Sequence, residues 1–349
     1  MNKENIEEIL NKYKLSEEEH DYYYQIIKRF YLQDKLPVEN PVAVIIGGQT
    51  GAGKSGIIGY STEMFEDNNV IIINSDEIKP FHPHGEEIAR NYPKLYTKIT
   101  DQESNTWTSK LFEELRREKY NIIFEGTMKN NRIADESIPE LQQLGYTVVV
   151  RGLAVCDLES RMSVLERYEG QVNHKGWGRL VVTEHHNQTY EGMPRTIDYI
   201  EENDRYDILE IYSRGSKPDQ PTLIYSKHNP LTVDKTQRSI ADKDNISRRS
   251  QRFGYSDGLD SIIRGREEDY ERVVPDLARR LQIVLDSMNE RGASKEEKQM
   301  VLDLMQEYGE IIKKKRMEIV NKDGNGLDLE GAKKSVEENC TGDANGGRD

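Results

Sequence analysis

Residues 41–55, PVAVIIGGQTGAGKS, limit what this chain can fold into more than any other stretch. A run of β-branched and small apolar residues, 42–46, breaks into a glycine-rich turn. The turn closes on Lys54 and Ser55, and a helix-compatible segment follows. The spacing G-x-x-x-x-G-K-[ST] is met by Gly48, Gly53, Lys54 and Ser55 with no forced position. Glycines at 47, 48, 51 and 53 allow left-handed backbone angles that turn N–H groups inward toward a phosphate. The loop from Gly48 through Gln49, Thr50, Gly51, Ala52 and Gly53 would form the cradle. Lys54 supplies positive charge for the β- and γ-phosphates, and the Ser55 hydroxyl can ligate Mg²⁺. The helix that follows adds the positive end of its dipole. A strand, a turn of this composition and a helix together predict a bound nucleoside triphosphate.

The order of elements predicts an α/β fold. After the loop and its helix, residues 70–73 form a second β-branched run that ends at Asn74, Ser75 and Asp76. A polar helical stretch carrying Trp107, Leu111, Phe112 and Leu115 leads to a third strand at 121–124, which ends in Glu125, Gly126 and Thr127. A helix over 134–144 stops at Gly145, and a strand at 147–150 runs on through Leu153 and Ala154. Strands alternating with helices indicate a P-loop kinase-like parallel sheet with helices on both faces. Ligands gather at the carboxyl ends of such strands, where the glycine loop, Asp76 and Glu125 all fall.

The remaining segments divide the chain further. Residues 1–40 read as two short helices packed on the core, the second opened by a capping box from Ser16 to Glu19. Residues 41–226 form the kinase-like domain. Within it, a helix over 157–168 carries Arg161 and Arg167, a loop holding Gly170, Trp177 and Gly178 leads to Arg179, and a helix from near Thr183 includes His185 and His186. Residues 206–212 and 222–225 read as two strands pairing at one edge of the sheet. From 227 to 320 comes a helical C-terminal extension, with Arg248, Arg249 and Arg252 ahead of helices at 268–288 and 294–319, the first kinked or restarted by Pro275. Residues 321–349, rich in Gly, Asn, Asp and Lys, have the composition of a disordered tail.

Composition narrows the function classes. The formal net charge is −14, against a general nucleic-acid binder, which would show a basic footprint. Two cysteines, Cys156 and Cys340, are too few for a disulfide framework or a cysteine zinc site. The opening residues lack the basic and apolar regions of a signal peptide, and no stretch reaches the length of a membrane span, so the expected placement is cytoplasmic.

Asp76, at a strand end soon after the phosphate loop, can accept a proton from a substrate hydroxyl or hold Mg²⁺. It can equally be a turn-forming or capping aspartate. Glu125 can serve as a competing base, as an acceptor for substrate hydroxyls beside Thr127, or as a solvated strand-end carboxylate. Arg161, Arg167 and Arg179 are candidates to place charge on a moving phosphoryl group. His185 and His186 point apart on a helix and complete no metal site. The run from Asn321 to Gly326 imitates the start of a calcium loop, but its twelfth position is Ala332 rather than glutamate.

Taken together these residues resemble the zeta toxin family, the kinase half of epsilon–zeta toxin–antitoxin pairs, over roughly residues 40–215. The family pattern GGQ-x-G-x-GK[ST] is similar to the run from Gly47 to Ser55. The strand-end aspartate and His-Pro pair appear as Asp76, His82 and Pro83, the EGT triplet as Glu125, Gly126 and Thr127, and the Arg-Tyr-Glu triplet as Arg167, Tyr168 and Glu169. A second arginine before a histidine-containing helix appears as Arg179. The resemblance implies a kinase that uses ATP or GTP with Mg²⁺ to phosphorylate the sugar 3′-hydroxyl of UDP-N-acetylglucosamine, blocking cell-wall precursor synthesis. It implies Asp76 as general base, Lys54 on the β/γ-phosphates and Arg167 and Arg179 on the transferring group. Glu125 and Thr127 would bind the sugar nucleotide, with Lys129 and His82 also on the substrate side. An epsilon-like helical antitoxin is the implied partner, with no nucleic acid or membrane.

The departures lie on the substrate side. Leu180, Val181 and Val182 follow the second arginine where the family tends to have a small residue, Thr and Pro, and Lys129 stands where an arginine is common. The rival readings are a P-loop kinase of another small molecule, such as NAD or a drug, and a nucleotide-binding regulatory switch.

Overall fold

The computed structural model describes residues 3–93, 95–178, 181, 183–215, 220–230 and 255–323, with side chains from Ile6 to Lys314. Its frame is a six-stranded sheet of order β2-β3-β1-β4-β5-β6. The strands are β1 (Val42–Gly47), β2 (Ile71–Ile73), β3 (Ile122–Gly126), β4 (Thr147–Ala154), β5 (Ile208–Ser213) and β6 (Thr222–His228). The first five are parallel, and β6 returns antiparallel along β5 at the edge. The connection leaving β1 runs toward β2 on the β3 side, and the one leaving β4 runs toward β5 on the other, so a crevice opens between the carboxyl ends of β1 and β4, where such sheets bind ligands.

The two-residue period of β1 explains why it is apolar throughout. Ala43 and Ile45 point to one face, and Val42, Val44 and Ile46 to the other. In β4, Val148 and Val150 share the first face, while Val149 and Leu153 share the second. A strand buried on both faces needs an unbroken apolar run, which is what the sequence supplies.

The helices follow as α1 (Lys3–Lys12), α2 (Glu17–Leu32), α3 (Lys54–Thr62), α4 (Ser75–Ile78), α5 (Gly85–Asn91), α6 (Tyr96–Arg117), α7 (Ile138–Gln143), α8 (Asp157–Lys175), α9 (Thr183–Glu202), α10 (Gly258–Glu290) and α11 (Lys295–Asp323). Side chains from α2, α6, α7, α9 and α10 fill the first face, among them Tyr24, Trp107, Leu141, Ile197 and Ile262. Ile57 of α3 and Phe65 lie on the second. The Ser16–Glu19 capping box opens α2, with both reciprocal bonds formed.

Two compact units are present, Met1–Ala293 and Ser294–Asp349. The first takes in α10, the helix expected to begin a C-terminal extension. α10 packs on α8, α9, β4, β5 and β6. In the second unit, α11 is opened by Ser294, whose amide donates to Glu297 Oε2 at 2.8 Å while its Oγ accepts from the Glu297 amide at 3.2 Å.

Three expectations are corrected. The helix expected to end at 168 continues to Lys175, and Gly176, with φ 78°, is its C-cap. Gly170 lies inside that helix with open space around its Cα, so it does not begin a loop. Pro275 does not interrupt α10, which runs unbroken from Gly258. Val273, Val274 and Leu277 are buried around it while Pro275 itself is exposed, so burial of the inner face offsets the lost backbone hydrogen bond. The helix expected over 134–144 begins as a π-type turn, Ile133–Ser137, before α7. Arg248, Arg249, Arg252 and residues 324–349, including the second half of the calcium-loop-like run, lie outside the described residues. Among the described residues no helix is long and apolar enough to cross a membrane.

Candidate active site

The glycine loop passes from β1 into α3 with Gly51 at φ 85° and Gly53 at φ 91°, left-handed values that disfavour any side chain. Gly51 has a second reason to be glycine: a Cβ there would stand 2.0 Å from the Ser160 carbonyl oxygen. The loop therefore presses against the first turn of α8. Gln49, fully buried, reinforces that contact by donating from Nε2 to the Val155 carbonyl at 2.8 Å and to Ser160 Oγ at 3.3 Å. Ser160 Oγ in turn meets His186 Nε2 at 2.8 Å. His186 is thus a buried structural histidine whose pKa is pushed down by burial, and no metal need be invoked.

Lys54 begins α3 and folds back over its own loop. Its Nζ donates to the Gly48 carbonyl at 2.9 Å and the Gln49 carbonyl at 3.2 Å, and lies 3.6 Å from Glu125 Oε1. Glu125 is carried there by the parallel register that sets it beside Ile46 of β1. Its other oxygen accepts from Asn74 Nδ2, the residue that also caps α4 by accepting from the Asp76 amide at 2.8 Å. Burial pushes the Lys54 pKa down and the Glu125 pKa up. Asp76 acts on both, favouring the charged lysine and the neutral glutamic acid.

The carboxyl ends of β1, β2 and β3 thus bring Lys54, Asp76 and Glu125 into one electrostatic cluster. Lys79, nearly buried, ties Asp76 to α6 by pairing with Asp76 Oδ1 and Asp101 Oδ1, both at 2.8 Å. Arg167, exposed on α8, is near enough for its charge to lower the Lys54 pKa further. Arg161 has an i,i+4 contact with Asp157 at 3.8 Å. Arg179, Leu180 and Val182 lie outside the described residues.

Thr127 and Lys129 flank Met128, a buried residue at φ 49°. Met128 fits because Gly47 has no side chain: a Cβ on Gly47 would lie 2.3 Å from Met128 Sδ. On the other side α9 admits the turn at Gly192, where a Cβ would stand 2.2 Å from the Lys129 carbonyl oxygen. Lys129 is exposed. His82 is engaged elsewhere. Its ring is buried, with Nε2 at 3.1 Å from the Tyr13 carbonyl and Nδ1 accepting from the His84 amide at 3.2 Å. It joins the N-terminal helices to the turn before α5.

Sequence reasoning missed two further residues at the loop. Arg214, just beyond β5, brings its Nε to 3.8 Å from where a Cβ on Gly53 would be. Its Nη1 is held by Glu159 of α8 and by Ser163 Oγ at 2.8 Å. Neither residue belongs to a local motif, since the fold alone brings Arg214 to Gly53 and Glu159 to Arg214.

The cradle fits a polyphosphate. Its two left-handed glycines, the start of α3 and the Lys54 ammonium all face the crevice at the end of β1. Ser55, exposed in the first turn of α3, fits Mg²⁺, a cation usually held by one or two protein ligands together with substrate phosphates.

A mixed sheet of this order with a glycine-rich phosphate loop after its central strand defines a P-loop α/β protein. The zeta toxin family model matches residues 29–229, and the chain belongs to that family. It is 27% identical over 183 residues to the toxin zeta of Streptococcus agalactiae, covering 52% of this chain and 63% of that protein. It is 27% identical over 206 residues to the toxin PezT of Streptococcus pneumoniae, covering 59% and 79%. The matched stretch spans less than two thirds of the Streptococcus agalactiae relative. Among solved structures, one from the PezAT chromosomal toxin–antitoxin system of Streptococcus pneumoniae superposes with a TM-score of 0.57 at 22% identity, over 80% of this chain and 98% of that one.

Proposed function

We propose that this protein is a phosphotransferase that moves the γ-phosphoryl group of ATP or GTP to the sugar 3′-hydroxyl of UDP-N-acetylglucosamine. It would thereby act as the toxin of a toxin–antitoxin pair by blocking cell-wall precursor synthesis. The observation that carries the reading is the cluster of Lys54, Glu125, Asn74 and Asp76 at the ends of three neighbouring parallel strands. Lys54 meets one oxygen of Glu125, and Asn74, which caps the turn carrying Asp76, meets the other.

In this reading the glycine loop, from Gly48 to Ser55, wraps the donor's phosphates. Lys54 exchanges its bonds to the Gly48 and Gln49 carbonyls for the β/γ-phosphate oxygens. Mg²⁺ at Ser55 would neutralise charge on the β- and γ-phosphates. Asp76 takes the proton of the attacking hydroxyl, its carboxylate oriented by Lys79. Arg167 and Arg179 offset charge on the transferring group. Glu125, Thr127 and Lys129 receive the sugar nucleotide, with Glu125 as hydrogen-bond acceptor. His82 supports the site through the N-terminal helices rather than touching substrate. The partner would be an epsilon-like helical antitoxin, and the compartment the cytoplasm.

The test is a metabolite pool incubated with the protein, ATP and Mg²⁺, read by mass spectrometry beside the Asp76→Asn variant. A phosphate added to UDP-N-acetylglucosamine by the native protein alone supports substrate and base together. Transfer to a different metabolite keeps the kinase and replaces the substrate. No transfer to any metabolite rejects the kinase reading.

A further inference from the structure

We infer that Arg214 binds the donor's phosphates, and that Arg280 of α10 positions Arg214 by neutralising the carboxylate that holds it. This rests on the phosphate loop binding a nucleoside triphosphate. Glu159 is a buried carboxylate, 4% exposed, shared by two guanidinium groups from distant parts of the chain. Arg280 donates to Glu159 Oε2 at 2.5 Å and to Oε1 at 3.3 Å, and also pairs with Glu166 at 2.6 and 2.9 Å. Arg214 shares the same Oε1 through a single nitrogen.

The two arginines are therefore not equivalent. Arg280 has two carboxylates and its full fork engaged, so Glu159 retains a counter-charge if Arg214 leaves. A buried carboxylate deprived of all partners is strongly disfavoured. Without Arg280, Arg214 would be the one cation left on Glu159 among the described residues. With Arg280 in place, Arg214 can turn from Glu159 toward an anion in the loop, where it already stands beside Gly53. α10 lies beyond the segment matched by the family model, so this control comes from a helix the family signature does not include.

The experiment titrates ATP with Mg²⁺ into the full-length protein by calorimetry. Arg214→Ala should weaken binding about 10- to 100-fold, the loss of a charge-assisted contact. Arg280→Ala should also weaken it, although Arg280 is assigned no nucleotide contact. Adding Glu159→Gln to Arg280→Ala should return affinity toward native, because the neutral amide no longer retains Arg214. If Arg280→Ala does not fold, Arg280→Gln, which removes the charge but keeps a polar side chain of similar reach, takes its place with the same rescue. Native affinity in Arg214→Ala, or a loss in the Arg280 variant that Glu159→Gln leaves unchanged, overturns the inference. A native protein that binds neither ATP nor GTP, or a Lys54→Ala variant that binds the nucleotide equally well, overturns the phosphate-loop reading itself.

Discussion

Lys54 at the start of α3 and Glu125 near the end of β3 face each other, Nζ 3.6 Å from Oε1, with side chains only 12% and 14% exposed. Burial drives each toward its neutral form, yet each supplies the opposite charge the other needs. The pair keeps a cation next to the phosphate loop where isolated burial would discharge it.

Replacing Lys54 with alanine should lower phosphotransfer by roughly 10² to 10³, the usual cost of removing a preorganised cationic or hydrogen-bonding donor. Single-turnover transfer from labelled ATP measures it. Native rates in this variant would exclude Lys54 from the chemistry.

Asp76→Asn should cost about 10² to 10⁴ in rate while ATP affinity stays near native, because a base acts on the transition state. Calorimetric titration beside rapid-quench kinetics separates the two. A rate within a few-fold of native would remove Asp76 as the base.

Glu125 holds its proton to a higher pH in the folded chain than an unfolded glutamate does, chiefly through burial. The folded state then binds more protons across that window, so stability falls as the pH rises from the ordinary glutamate range through the raised value. The Glu125→Gln variant should lose this part of the slope. Denaturant midpoints measured across the window test it, and parallel curves for the two proteins would contradict it.

Gly51 and Gly59 should respond to alanine with opposite signs. At Gly51 the left-handed backbone and the Ser160 carbonyl both reject a Cβ, so the variant should lose stability and nucleotide binding together. Gly59 lies within α3 with open space around it, and alanine there should stabilise by about 0.4–1 kcal/mol. Thermal melts of the two variants decide.

Arg151 and Glu210 form a buried pair at 2.8 Å between β4 and β5, with Arg151 also donating to Ser61 Oγ of α3 at 2.6 Å. Glu210→Leu leaves the arginine buried without its counter-charge and should cost about 3–5 kcal/mol. Arg151→Met combined with Glu210→Leu should recover most of that in urea denaturation. A double variant as unstable as the single one would show that other contacts dominate.

The sheet was legible because each parallel strand is an apolar run ending in a glycine- or carboxylate-bearing turn, as at Gly47, Asp76 and Glu125. The edge hairpin, the capping box at Ser16 and the phosphate loop were legible for similar local reasons. Gly170 and Pro275 misled because both read as punctuation. Each sits on an exposed helix position, where the buried neighbours Tyr168 and Leu277 decide the outcome. His82 sat in a recognisable His-Pro pair, but the pattern carried no information about the Tyr13 carbonyl that binds its ring. Glu159, Arg214 and Arg280 had no signal at all, since their association depends on three elements meeting in the folded chain.

During synthesis the chain makes its phosphate loop and all six strands before α10 exists. Glu159 and Glu169 are buried against partners that come late: Arg280, and Arg291, which binds Glu169 Oε2 at 2.9 Å. Until residue 291 has left the ribosome, these carboxylates on the helix that carries Arg167 lack those counter-charges. The order of translation therefore makes α10 the last helix of the first unit to arrive, and a nascent chain holds its phosphate loop before it holds the arginines that settle the helix beside it.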